Sequence, residues 1–382
     1  MKSLIKIHKK SLIYIICSLS VSGGLLLIAR HVSGFGEFYA SKVFPVFSNT
    51  LGRLFSPIPF SVFEICIYLL IFAVIGFILY ALSLLMRKNS RKKLKTMLPS
   101  SILRFLCFCT TLLLMLTLTC SINYNRAGFA TDANLITTPS SSEALAVLCN
   151  VLIDDLTALE DEISVDESGD FSLQASFDTG NEKEALSKTA DAAKEAMQFL
   201  GQTYPTLSGY YPNPKQVLLS SKMSNLNLTG IFSPYTIEAN YNGDVCDYVI
   251  PYTICHELAH LKGYISEDEA GFIAYLACSQ SATPQLRYSA AVNALSYSLN
   301  ALYRHTTEEE YQAVLSRVPQ QAIHDLQSNQ AYWRAHASAL SQVARSANDQ
   351  YLKANAQADG VHSYGRMVDL MLSYYNIDAT SL

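Results

Sequence analysis

"HELAHLKGYISEDE", residues 256–269, sets two histidines four apart with a glutamate after the first, and acidic residues resume seven positions past the second histidine. Residues four apart on a helix share a face. His256 and His260 can therefore offer two imidazole nitrogens to one ion. A zinc ion held by three protein ligands keeps its fourth position for water, whose pKa it lowers to about 7. Glu257, next to the first ligand, is placed to take that water's proton and pass it to a leaving amine. This is the physical reason for a base standing inside the ligand pair. The alternative is an ordinary helix carrying surface histidines. The flanks argue against it: Ile254, Cys255, Leu258, Ala259 and Leu261 are apolar or small, so the helix is expected to be buried nearly all round. Buried polar groups without partners are costly, and a metal is a natural partner.

A third ligand is required. Gly263 lets the chain turn sharply after the helix, so Glu267 or Glu269 can fold back toward the ion. Ser266 and Glu269 spell a capping box for a new helix, which gives Glu269 a competing role. Glu267 is therefore the preferred ligand and Glu269 the alternative. Asp268 reads as an acidic first-turn residue favoured by the helix dipole. An oxyanion donor is also needed. Tyr288, His362, Tyr364 and Arg366 are of the right type, and "HSYGR" (362–366) pairs such donors with a glycine. Residues 236–240, just ahead of the motif helix, are a candidate edge strand for aligning an extended peptide.

The rest of the chain says where this site resides. Residues 1–122 carry 14 Lys/Arg against two acids, Glu37 and Glu64, whereas residues 123–382 carry 14 Lys/Arg against 30 Asp/Glu. An acidic back half argues against nucleic acid as a partner. Three nearly uncharged stretches, about 11–29, 61–86 and 101–122, each reach the roughly 20 residues that a helix needs to cross a bilayer. Glu64 lies near the start of the second, where headgroups can solvate it. The first is read as a retained anchor rather than a cleaved signal, since its apolar run is long and no small-residue cleavage site follows. Lysines flank the first span, and Arg87, Lys88, Arg91, Lys92, Lys93 and Lys95 crowd the loop between the second and third. The positive-inside rule then makes the N-terminus cytoplasmic and everything after about residue 123 extracytoplasmic.

Two domains are expected: a membrane domain (1–122) and an extracytoplasmic domain (123–382). The second reads as α+β, mostly α. Helices are predicted over 142–163, 181–200, 266–280, 285–303, 307–317, 320–356 and 362–376. Residues 216–221 read as a short strand, and 229–244 as a bent or paired strand with turns at Ser233–Pro234 and Asn242–Gly243. Five of the nine cysteines fall in the spans; Cys149, Cys246, Cys255 and Cys278 do not, and their spacing is unlike a Cys-rich zinc module. Trp333 reads as a packing residue.

The strings "GIFSPYTIEANYN", "IPYTICHELAHLKGY", "EDEAGFIAYLACSQS" and "DGVHSYGRMVDLML", after three N-terminal spans, resemble a bacterial membrane family catalogued as domain of unknown function 3810. The resemblance covers nearly the whole chain. It implies a zincin-like extracytoplasmic metallopeptidase domain in a multi-pass protein of the bacterial cell membrane. Glu267 with Ala270 further resembles the E-x-x-A-D pattern of membrane zinc proteases with a glutamate ligand. Gly271 stands where that pattern has its aspartate, and where this family usually has asparagine. The expectation is a zinc-dependent peptidase acting on a peptide or protein segment near the membrane surface, with the lipid bilayer as its other partner. The alternative is a zinc-domain sensor or scaffold with little or no turnover.

Overall fold

Sequence and burial together decide where each helix of the chain lies. The computed structural model describes residues 2–86, 91–137, 140–354 and 366–377. Its helices are α1 (Lys2–His31), α2 (Phe35–Phe38), α3 (Phe44–Phe55), α4 (Val62–Met86), α5 (Arg91–Thr119), α6 (Phe129–Asp132), α7 (Ser142–Leu159), α8 (Leu173–Ser176) and α9 (Glu182–Thr203). After them come α10 (Ser220–Ser224), α11 (Val249–His260), α12 (Glu267–Ser279), α13 (Pro284–His305), α14 (Glu308–Leu315), α15 (Gln320–Ala335), α16 (Ala339–Ala354) and α17 (Met367–Tyr374). The strands are β1 (Lys215–Gln216), β2 (Gly230–Ser233) and β3 (Glu238–Tyr241).

Among the described residues, three helices contain stretches long and apolar enough to cross a membrane: Lys9–His31, Val62–Met86 and Met97–Thr119. α1 and α5 run side by side, joined by a Tyr14 hydroxyl to Thr111 Oγ1 contact of 2.6 Å. α4 leaves most of its apolar surface open, with Leu69 and Phe72 62% and 70% exposed, as expected of a lipid-facing span. The third span stops three residues short of its expected end. Ile122 and Asn123 are buried, in a 3-10 turn that belongs to the globular region.

That region is a helical core with a small sheet on one side. α11 packs against α9, α12 and α13, and α13 packs along α7. Ile254, Cys255, Leu258 and Ala259 are wholly buried. Removing side chains such as Leu258 and Ile254 from water contributes about 1.5–3 kcal/mol each. The sheet order is β1-β3-β2, with β3 parallel to β1 and antiparallel to β2. Both β2 and β3 lie against α11.

Several expectations are corrected. The strand predicted at 216–221 is only two residues long, because Ser220 opens α10. The single helix predicted over 320–356 is two helices; Ser338 Oγ accepts the Ser341 N–H at 3.1 Å and starts α16 afresh. Ser266 is the N-cap of α12 but makes no side-chain cap bond, so the expected capping box does not form. Glu64 is not solvated by headgroups. It is 5% exposed and accepts the Leu218 and Leu219 N–H groups at 2.8 and 3.0 Å and the Tyr68 hydroxyl. Glu238 of β3 caps the same span from the other side, accepting Val62 N–H at 3.1 Å and Phe63 N–H at 2.9 Å. Lys215 Nζ donates to that carboxylate at 2.5 Å and to the Phe55 carbonyl at 2.8 Å. α4 is thus joined to the sheet by buried, charge-assisted hydrogen bonds, the stronger kind.

Candidate metal centre

α11 and α12 meet at the short turn made by Gly263. The turn needs a left-handed residue, and Gly263 supplies it at φ +83°. The turn folds the first residue of α12 back over the last turn of α11. His256, His260 and Glu267 then converge, with one ligand-type atom of each lying within 4.8 Å of the others. Glu267 Oε2 is 3.0 Å from His256 Nε2 and 3.9 Å from His260 Nε2. Ligand atoms about 2.1 Å from a tetrahedral ion stand about 3.4 Å apart. The observed spacings bracket that value.

Surrounding groups set the state of each candidate ligand. The His260 Nδ1–H donates to the Tyr264 carbonyl at 2.7 Å. A carbonyl only accepts, so the proton sits on Nδ1 and the lone pair is on Nε2, the atom facing Glu267. Burial, reinforced by His256, pulls the His260 pKa down to about 4, so this ring is neutral. For His256, burial pulls the pKa down but the hydrogen bond and charge of Glu267 outweigh it, and the net shift is upward.

Glu257 is 5% exposed. Burial is the main cause that pushes its carboxyl up to about 8; His256 opposes the rise, Glu267 adds to it, and the Phe232 amide offsets part of it. Its Oε2 is buried without a hydrogen-bond partner among the described residues. A buried carboxyl is kept beside the two imidazoles because β2 comes in very close. A Cβ on Gly230 would lie 2.4 Å from Glu257 Oε1 and 2.7 Å from Thr253 Cγ2.

The three residues open onto a cleft of ≈ 740 Å³. Gly230, Ile231 and Phe232 of β2 form one wall, and Arg345, Asn348 and Tyr351 of α16 contribute to its lining. The candidate edge strand at residues 236–240 is corrected here: β3 is the central strand, hydrogen-bonded on both sides, and β2 is the edge beside the cleft. The Asn242 N–H to Thr229 carbonyl bond fixes the phase of the antiparallel ladder. Alternation then turns the backbone groups of Gly230 and Phe232 to the free edge.

The remaining candidates lie elsewhere. The Glu269 carboxylate turns away from the histidines and accepts the Phe129 N–H at 2.7 Å. Burial first, then Asp268, pushes its pKa up to about 7. Arg366 donates to Asp268 at 2.9 Å, bracing the start of α12 next to Glu267. Tyr288 is buried and bonds Asp325, away from the cleft. His362 and Tyr364 lie outside the described residues. Gly271 packs under the Tyr252 hydroxyl, which donates to its carbonyl at 3.0 Å. Tyr124, Tyr297, Tyr351 and Trp333 line the cleft. Nothing in their local sequence distinguishes them, because the chain has 23 tyrosines and they come from four distant segments.

Fold and site together define a mostly helical protein with three membrane-compatible spans and a buried His-His-Glu cluster of metal-ligand type. The model of a family described as protein of unknown function (DUF3810) matches residues 39–372, and the chain belongs to that family. No curated protein and no solved structure matches the chain.

Proposed function

We propose that this protein is a membrane-anchored, zinc-dependent peptidase. One observation carries the reading: two imidazoles and a carboxylate converge from one helix–turn–helix, with a buried, unpartnered carboxyl oxygen of Glu257 beside them. The donor set suits zinc, which accepts nitrogen and carboxylate ligands in a three-residue catalytic site. His256, His260 and Glu267 would hold it. When bound, zinc supplies Lewis acidity toward oxygen.

The chain's own groups do the rest. The Tyr264 carbonyl keeps the proton of His260 on Nδ1 and so presents Nε2 as a donor. Glu257 takes a proton from the attacking water at Oε2, the oxygen without a hydrogen-bond partner among the described residues, and returns it to the leaving amine, so that one carboxyl serves first as base and then as acid. The free edge of β2 offers the backbone groups of Gly230 and the carbonyl of Phe232, whose amide faces Glu257, to an extended peptide, which can pair there without particular side chains. Burial beside β2 excludes bulk water from the Glu257 carboxyl.

The test is Glu257→Gln in the full-length protein, incubated with a peptide mixture and read by mass spectrometry alongside zinc content. The peptidase reading expects cleavage by the wild type, no cleavage by the variant, and equal zinc in both. Equal cleavage by the two proteins removes Glu257 from the chemistry. A wild type that binds zinc but cleaves nothing, with cellular function unchanged in the variant, favours the sensor or scaffold reading.

A further inference from the structure

Leu218 and Leu219 are 63% and 47% exposed, although their own backbone amides are bonded to a buried carboxylate. That carboxylate belongs to Glu64, in the first turn of α4. The 25 residues of α4 span about 37 Å, against about 30 Å of bilayer hydrocarbon. The surplus is about 7 Å, or roughly five residues. Glu64 lies within that surplus when the far end of the helix reaches the opposite boundary. The backbone at 218–219 is therefore pinned at the level of the lipid–water boundary, with two large apolar side chains facing outward. Phe60, two residues before the helix begins, is 41% exposed. All three residues adjoin the N-terminal end of α4, Phe60 through the chain and the two leucines through the bonds to Glu64, and α4 itself exposes apolar side chains.

We infer that Leu218, Leu219 and Phe60 insert into the bilayer at the N-terminal end of α4 and seat the globular region on the membrane. The occupant is the acyl-chain and glycerol region of a phospholipid leaflet, because the patch adjoins the end of a membrane span. Two apolar side chains held by buried hydrogen bonds at this depth lose contact with water at little cost in ordering, since their backbone is already fixed. The chain from Leu219 to Leu226, where the cleft wall begins, covers seven steps, or at most about 25 Å. The cleft therefore stands close to the lipid surface. Resting on the peptidase reading, its substrate class is a polypeptide segment just outside a span or lipid anchor.

The experiment uses the full chain in phosphatidylcholine vesicles, with Trp333→Phe removing the one native tryptophan. Tryptophan is then introduced singly as Leu218→Trp or as Phe72→Trp, the latter near the middle of α4. Both are expected to lose emission to lipids brominated along the acyl chains, and Leu218→Trp to be little affected by aqueous iodide. Quenching of Leu218→Trp by iodide but not by bromolipid, with Phe72→Trp quenched by bromolipid, overturns the inference and leaves the span intact. Failure of Phe72→Trp to respond to bromolipid overturns the span and the inference with it. Neither outcome depends on peptide cleavage, so the peptidase reading is tested separately.

Discussion

On the zinc-peptidase reading, a methyl group at Gly230 should disable catalysis while leaving zinc binding intact. The built Cβ lies 2.4 Å from Glu257 Oε1, 2.7 Å from Thr253 Cγ2 and 2.8 Å from Glu257 Cγ. Ordinary contact begins at 3.4 Å, so the carboxyl or the strand must move by about 1 Å to make room. β2 cannot simply retreat, because its ladder to β3 continues through the Asn242 N–H to Thr229 carbonyl bond at 2.8 Å. Misplacing a catalytic group by 1 Å can cost about 100-fold in rate, equivalent to about 2.7 kcal/mol of activation free energy. Overpacking should lower stability by about 1–3 kcal/mol. The assay is the turnover number on a peptide that the wild type cleaves, with zinc content and thermal midpoint measured on the same preparations. Gly180→Ala, where nothing lies within 4 Å of the new Cβ, is the control. Gly230→Ala should lose about two orders of magnitude in turnover while keeping its zinc. Wild-type turnover in a folded Gly230→Ala protein would refute the claim that β2 positions Glu257.

Three further outcomes are expected. Glu64→Gln should lower stability by about 1–3 kcal/mol, because a carboxylate that accepts two amides and a hydroxyl is replaced by a weaker acceptor; a lower thermal midpoint in detergent checks it. Asp247 is held up to about 6, chiefly by burial, so the folded protein binds its proton more tightly than the unfolded chain does. Its contribution is then complete below about pH 4 and fades as pH rises through 6, so the thermal midpoint of Asp247→Asn should gain on the wild type between pH 4 and 8 by an equivalent of about 1–3 kcal/mol. Gly271→Ala puts a Cβ 2.9 Å from the Tyr252 hydroxyl, so it should destabilise, and Tyr252→Phe should recover part of the loss; a double-mutant cycle of thermal midpoints reads the coupling.

The site could be read from the sequence where it is local. His256, Glu257 and His260 share one helix, and helical spacing alone puts them on related faces. Glu267 was within reach because a glycine turn leaves few residues able to fold back. The choice between Glu267 and Glu269 was not local. It is set by Phe129, some 140 residues away, whose amide claims the Glu269 carboxylate. The same applies to Glu64, whose partners Leu218 and Leu219 are about 155 positions distant, and to the edge strand, since sheet order depends on which side β1 joins. The spans were legible because hydropathy needs no tertiary information. The aromatic cleft lining was not, since its members come from α13, α15, α16 and the turn after α5.

Metal content, measured by elemental mass spectrometry on the purified full-length protein and on His260→Ala, Glu267→Ala and Glu269→Gln, tests the central claim most directly. Convergence of His256, His260 and Glu267 predicts one zinc per chain in the wild type and in Glu269→Gln, and loss of zinc from the other two. Stoichiometric zinc in Glu267→Ala, or a wild type that takes up none, would contradict the account.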